Sequence, residues 1–168
     1  VFYKVNQGGS NSIVTFEVHL GFLYMLSGNG HLHRTDGNNS FDIWSWDGNT
    51  SGVGLRSYDG KLFVTTYEWA ENSLLGMGVI YQFTGAAVTE LKRFGDPDKA
   101  TRTGQMIVWN RRLYYGAGNL LGYQGGVGVA CYDAAEDGHS IFAAATDTTV
   151  AGITDASGTG DDWFISDL

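Results

Sequence analysis

The sequence predicts an all-β protein made of tandem four-stranded antiparallel repeats, about three and a half blades of a β-propeller that belongs to a larger ring. Three observations lead there. Apolar residues fall in short runs of about four to seven with no helical period, separated by Gly, Asp, Asn and Ser clusters. Glycine is abundant, at 25 residues against a single proline, Pro97, with no collagen period, which points to many tight turns. The same pair of hairpins then recurs along the chain at blade-like spacing.

The chain opens on Val1-Phe2-Tyr3-Lys4-Val5, a strand-like run followed by Gln7-Gly8-Gly9-Ser10-Asn11. The first full hairpin reads Phe16-Glu17-Val18-His19, a Leu20-Gly21 turn, then Phe22 to Leu26. Its second copy is Leu55-Arg56-Ser57-Tyr58, Asp59-Gly60, Lys61 to Thr65, and its third is Met106 to Asn110, Arg111-Arg112, Leu113-Tyr114-Tyr115. Asp59-Gly60 is a strong type I′ signal, because both central residues of that turn need positive φ.

A second hairpin follows each first one. Gly30–Arg34 leads to Phe41–Trp46, Gly78–Phe83 to Val88–Phe94, and Gly128–Tyr132 to Ser140–Ala144, across turns at Thr35–Asn39, Thr84–Ala87 and Asp133–His139. A fourth repeat begins near Ile153 and ends in the Trp163 strand. Leu23, Leu62 and Leu113 are matching anchors, 39 and then 51 residues apart. The expected blades are 1–52, 53–104 and 105–152, with a partial one at 153–168. Because it starts and stops in strand-like runs, the chain is expected to be a piece of a longer polypeptide.

A propeller is preferred to a sandwich because successive up-and-down hairpins at one period make small sheets that are unstable alone. Stacked radially, they bury both faces and leave only short edges. A sandwich shows crossing Greek-key connections instead. Because three and a half blades are too few to close a ring, the expected partners are additional blades or copies of the chain, or other subunits of an assembly.

Composition narrows the function. The net charge of −8 is uneven: residues 1–112 carry ten acids and ten bases, whereas the chain beyond Arg112 carries eight acids and no Lys or Arg. That segment repels phosphate backbones, which argues against nucleic acid as a partner and reads most simply as a solvated acidic face. No run is long enough to span a bilayer. The single cysteine, Cys131, excludes an intrachain disulfide and sits in the apolar run Val127–Tyr132, where a small buried filler is the natural role.

The segment Ser57-Tyr58-Asp59-Gly60-Lys61-Leu62-Phe63-Val64-Thr65-Thr66-Tyr67, followed by Gly78-Val79-Ile80-Tyr81-Gln82-Phe83-Thr84-Gly85, resembles a kelch-like propeller repeat, in which an Asp-Gly hairpin precedes a Gly-led hairpin. Asn110–Gly116 and Leu20–Tyr24 are looser copies. The kelch double glycine is missing, with only Gly116-Ala117-Gly118 near its place, and Trp46-Asp47 is similar to the dipeptide ending WD repeats but occurs once. Such repeats are similar to propeller segments of bacteriophage tail and other virion proteins and of secreted bacterial surface proteins. The resemblance implies a rigid scaffold for contacts in a virion or extracellular setting.

Few residues suggest chemistry. His31 and His33 are two apart on an expected strand, so they share a face and form a weak metal-ligand pair, with His19 as a third candidate. Ordinary surface histidines are the commoner case. In Asp155-Ala156-Ser157-Gly158-Thr159-Gly160-Asp161-Asp162, the side chains of Asp155, Asp161 and Asp162 suggest calcium, but carboxylates an EF-hand loop needs are lacking, and Ser166 stands where its closing Glu belongs. A polar loop is the simpler reading, and no cofactor is expected.

Trp44 and Trp46 share a strand face, and Trp69 lies in the polar stretch Glu68–Asn72, so these three are the ligand-contact candidates. Filling the wedges between blades is the simpler role for large aromatics. No nucleophile elbow, P-loop or Rossmann glycine pattern is present, and no carboxylate pair is set in an apolar motif, so no catalytic residue is assigned. The expected function is a non-catalytic propeller scaffold in a larger assembly such as a virion or phage tail. A carbohydrate-binding, lectin-like propeller is the alternative, and a propeller glycosidase or lyase segment comes third.

Overall fold

The computed structural model describes the backbone of residues 12–69, 76–94, 101–119, 127–133, 138–145, 149–150 and 153–154, and the side chains of 12–69, 76–93, 103–116 and Tyr132. Among these residues there is no helix. Strands β1 (Ile13–His19), β2 (Phe22–Ser27), β3 (His31–Thr35) and β4 (Ser40–Ser45) form one antiparallel sheet in sequence order. A second sheet holds β5 (Thr50–Tyr58), β6 (Lys61–Trp69), β7 (Gly76–Phe83) and β8 (Val88–Phe94). A third holds β9 (Thr101–Trp109), β10 (Arg112–Asn119), β11 (Val127–Asp133) and β12 (Gly138–Ala145), and a short hairpin pairs β13 (Thr149–Val150) with β14 (Ile153–Thr154). The all-β expectation and its four-stranded antiparallel repeat are therefore met. The opening strand at 1–5 and the terminal one at Trp163 lie outside the described residues.

Turn chemistry fixes each first hairpin. Leu20-Gly21 (φ 48° and 81°) and Asp59-Gly60 (φ 48° and 69°) both take the left-handed pair of angles that matches strand twist in a two-residue loop. In the third hairpin the left-handed pair is Asn110-Arg111 (φ 46° and 61°), not Arg111-Arg112, and Arg112 opens β10. An Arg at positive φ is uncommon, so composition pointed one residue too far along. The second and third sheets start at Thr50 and Thr101, slightly ahead of the expected blade limits at 53 and 105. Asp47 sets the first of these starts: its carboxylate accepts from the Asn49 amide (3.1 Å) and the Thr50 hydroxyl (3.0 Å), turning the chain into β5.

The sheets stack in series. Tyr24, Leu26 and Leu32 of the first sheet pack on Leu55, Leu62, Val64, Val79, Tyr81 and Phe83 of the second. From its opposite face, the second sheet presents Phe63 and Ile80 to Met106, Leu113, Tyr115 and Tyr132 of the third. The first strands of the three sheets lie next to one another. On β5, Arg56 pairs with Glu17 of β1 (3.4 Å) and donates from Nε to the Met106 carbonyl of β9 (3.0 Å). Gln105 of β9 donates to the Val53 carbonyl (2.9 Å), and the buried hydroxyls of Thr65 and Thr103 each donate to a carbonyl across the junction, those of Gly104 and Thr66, at 3.0 Å. These bonds satisfy polar groups that stacking has removed from water.

Close approach of the inner strands demands glycine. A Cβ at Gly52 would lie 2.4 Å from the Ser27 carbonyl oxygen and 2.5 Å from Leu26 Cγ, so β5 could not sit against β2 with a side chain there.

Candidate functional site

The site grows out of the face of the first sheet turned away from the second. Side chains alternate along a strand, so with Tyr24 and Leu26 packed inward, Leu23 and Met25 face outward. Pairing carries that face across the sheet: Phe16 lies opposite Met25 and Val18 opposite Leu23 on β1, while His33 lies opposite Met25 and Thr35 opposite Leu23 on β3. The result is a two-part surface, apolar on β1 and β2 and polar on β3 and β4.

Its apolar part matches surfaces that are covered in the other sheets. Leu23, Leu62 and Leu113 are each the second residue after the type I′ turn; Leu23 is 36% exposed, and the other two are fully buried. Phe16, Leu55 and Met106 are likewise equivalent, each opposite the residue two beyond its anchor. Phe16 is 58% exposed, against 1% for each of the others. In the second and third sheets this face rests on the preceding sheet.

On the polar part, the structure brings together His31, His33 and Asp42, whose ligand atoms all lie within 4.8 Å of one another. The two imidazole rings stack nearly parallel at 5.9 Å, and His31 Nδ1 is 3.2 Å from Asp42 Oδ2. Local structure explains the grouping. His31 and His33 are two apart on β3, and a bulge on β4 skips Ile43, so that Asp42 rather than Ile43 stands opposite His33. Ile43 instead packs against the core. The second sheet has the equivalent bulge, but there the matching positions are Val79, Tyr81 and Glu90. Val79 and Tyr81 fill the core, and the Tyr81 hydroxyl donates to Glu68, which Arg93 joins to Glu90. Two imidazoles and a carboxylate thus replace core packing in the first sheet alone of these two.

Burial is the main reason the His33 pKa falls below the ordinary value; Asp42 opposes the shift and His31 adds to it. The ring therefore favours its neutral form, with a lone pair free to accept a proton, a hydrogen bond or an electrophile.

His19 is not part of this cluster. It lies on the opposite face of β1, buried, with its Nδ1 2.8 Å from the Ser57 hydroxyl of β5, and desolvation lowers its pKa against the pull of Glu17. Asp42, missed by sequence reasoning, takes the third place.

The tryptophans divide. Trp46 packs on the core with its ring 5.4 Å from Tyr81, filling the wedge between the first two sheets. Trp44 stays exposed, with its edge towards Trp46. Trp69 closes β6, 37% exposed and edge-on to Tyr67 at 4.8 Å, and its amide donates to the Asn49 carbonyl (2.8 Å). The three do not form one surface cluster: Trp69 is anchored at the β6 end, and Trp46 is committed to packing. Trp109, which was not singled out, is more exposed than any of them and leans on Tyr114. The calcium candidates Asp155, Asp161 and Asp162 lie outside the described residues. No helix among the described residues is long and apolar enough to cross a membrane. No protein-family model matches the chain, and no curated protein matches it.

Proposed function

We propose that the chain is a run of kelch-like propeller blades acting as a non-catalytic scaffold, whose outer face on the first sheet packs against a sheet from a second copy of the chain. The observation that carries this reading is the contrast at equivalent positions: Phe16 and Leu23 are exposed where Leu55, Met106, Leu62 and Leu113 are buried. A contiguous exposed apolar sheet face of this kind marks an interaction surface. The three four-stranded sheets among the described residues are too few for a ring, but two copies supply enough, since closed propellers use about four to eight blades. The kelch-like repeat suggests a virion or phage tail as the kind of assembly.

The scaffold reading is tested by the mass of the chain in solution, measured by light scattering across a concentration series. The wild type is expected to associate, and Phe16→Asp, which places a charge in the middle of the face, is expected to leave a folded monomer. A wild type that stays monomeric throughout, or a Phe16→Asp protein that associates just as well, contradicts the proposal.

A further inference from the structure

We infer that His31, His33 and Asp42 form a binding site for one divalent transition-metal ion of the zinc class. This goes beyond the scaffold reading and is a property of the chain with that face uncovered, because His31 and His33 share the face with Phe16 and Leu23 and their second-sheet counterparts, Val79 and Tyr81, lie in the core between sheets. Two imidazole nitrogens and one carboxylate oxygen, on two paired strands, make a three-ligand set of the kind that leaves a fourth tetrahedral position for water. Half-exposed Asp42 and partly exposed His31 put that position towards solvent.

The geometry needs little adjustment. Tetrahedral zinc with bonds of about 2.0–2.2 Å wants its donors about 3.3–3.5 Å apart. The His31–Asp42 pair already lies at 3.2 Å, and no donor pair exceeds 4.8 Å. Turning the side chains of His31 and Asp42, neither of them buried, closes the remaining gap without moving the strands. His33 supplies the fixed ligand, held by its burial beside Met25. The donor chemistry selects the ion: imidazole suits zinc, copper, nickel and iron, whereas calcium and magnesium need six or more oxygens. The bulge that brings Asp42 opposite His33 recurs in the second sheet without the histidines, so the backbone is general and the ligand set is particular to the first sheet.

The test is a calorimetric titration of the chelator-stripped chain with zinc chloride, with calcium chloride as the comparison. One zinc ion per chain is expected, with no comparable calcium heat. Loss of a direct ligand should weaken binding at least as much as the 10- to 100-fold known for supporting residues, so His31→Asn and Asp42→Asn should each lose roughly tenfold or more, whereas His139→Asn should not change it. Because the His31→Asn and Asp42→Asn sites are not buried, circular dichroism should show an unchanged fold. A measurement that needs no variant is the zinc-induced shift of the imidazole NMR signals, expected at His31 and His33 and not at His19. Absence of zinc binding at millimolar concentration overturns the inference. Unchanged affinity in the His31→Asn/Asp42→Asn double variant, or shifts confined to His19 or His139, does so too.

Discussion

Leu62→Ala and Leu113→Ala are each expected to destabilise the chain by about 2–5 kcal/mol, while Leu23→Ala costs less than about 1 kcal/mol. The three leucines hold one position in the repeat, each the second residue after a two-residue turn and paired with the first strand of its sheet, at Val18, Ser57 and Val108, so residue type and turn geometry are held constant across the series. Burial is the main difference. Leu62 is packed among Tyr24, Leu26 and Leu32, and Leu113 against Phe63 and Ile80, so truncation leaves a cavity between sheets that the stacked backbones cannot collapse. Leu23, 36% exposed, has no such neighbour layer among the described residues. Urea unfolding of the three variants, done at a concentration where the chain is monomeric, checks the order. If Leu23 proved as costly as the other two under those conditions, the first sheet would already be covered.

Gly52→Ala is expected to cost about 2–3 kcal/mol, near the upper end for overpacking. The new methyl group would meet the Ser27 carbonyl at 2.4 Å, and a backbone atom held in a strand cannot step aside as a side-chain tip can. For a chain of this size that amounts to a fall in melting temperature of roughly 5–10 °C. Gly48→Ala is the matched control: a Cβ there meets nothing within 4 Å, and the change should be close to neutral. Thermal unfolding of the pair separates close strand approach from the general loss of a glycine. Equal melting temperatures would mean that β5 does not lie against β2 as described.

The fold was legible because strand alternation and turn chemistry are local. Val79, Tyr81 and Phe83 announce a face by their spacing, and Asp59-Gly60 announces a turn by the φ values it accepts. Elsewhere the local signal is poor. Arg111 adopts positive φ with no turn propensity to advertise it, and the second and third sheets begin at Thr50 and Thr101, in strands that extend earlier than their apolar runs.

The candidate site was legible only in part. His31 and His33 follow from spacing on a single strand. Asp42 depends on a bulge that shifts register by one residue, and His19 was excluded by which face of β1 turns inward; both are facts of pairing between strands. The exposed leading face of the first sheet was equally hidden. Phe16 and Leu23 look like their counterparts in sequence and differ only in what stands next to them.

The central claim is that each sheet lays the same face on the one before it, leaving that face of the first sheet open to a further sheet. Thiol labelling of single cysteines at the three equivalent positions 16, 55 and 106, in a Cys131→Ala background, tests this most directly. Dilute, monomeric chain should react rapidly at position 16 and far more slowly at 55 and 106, with position 16 becoming protected as concentration promotes association. Equal rates at all three positions, or a position 16 that reacts as fast in the associated state as in the monomer, would contradict it.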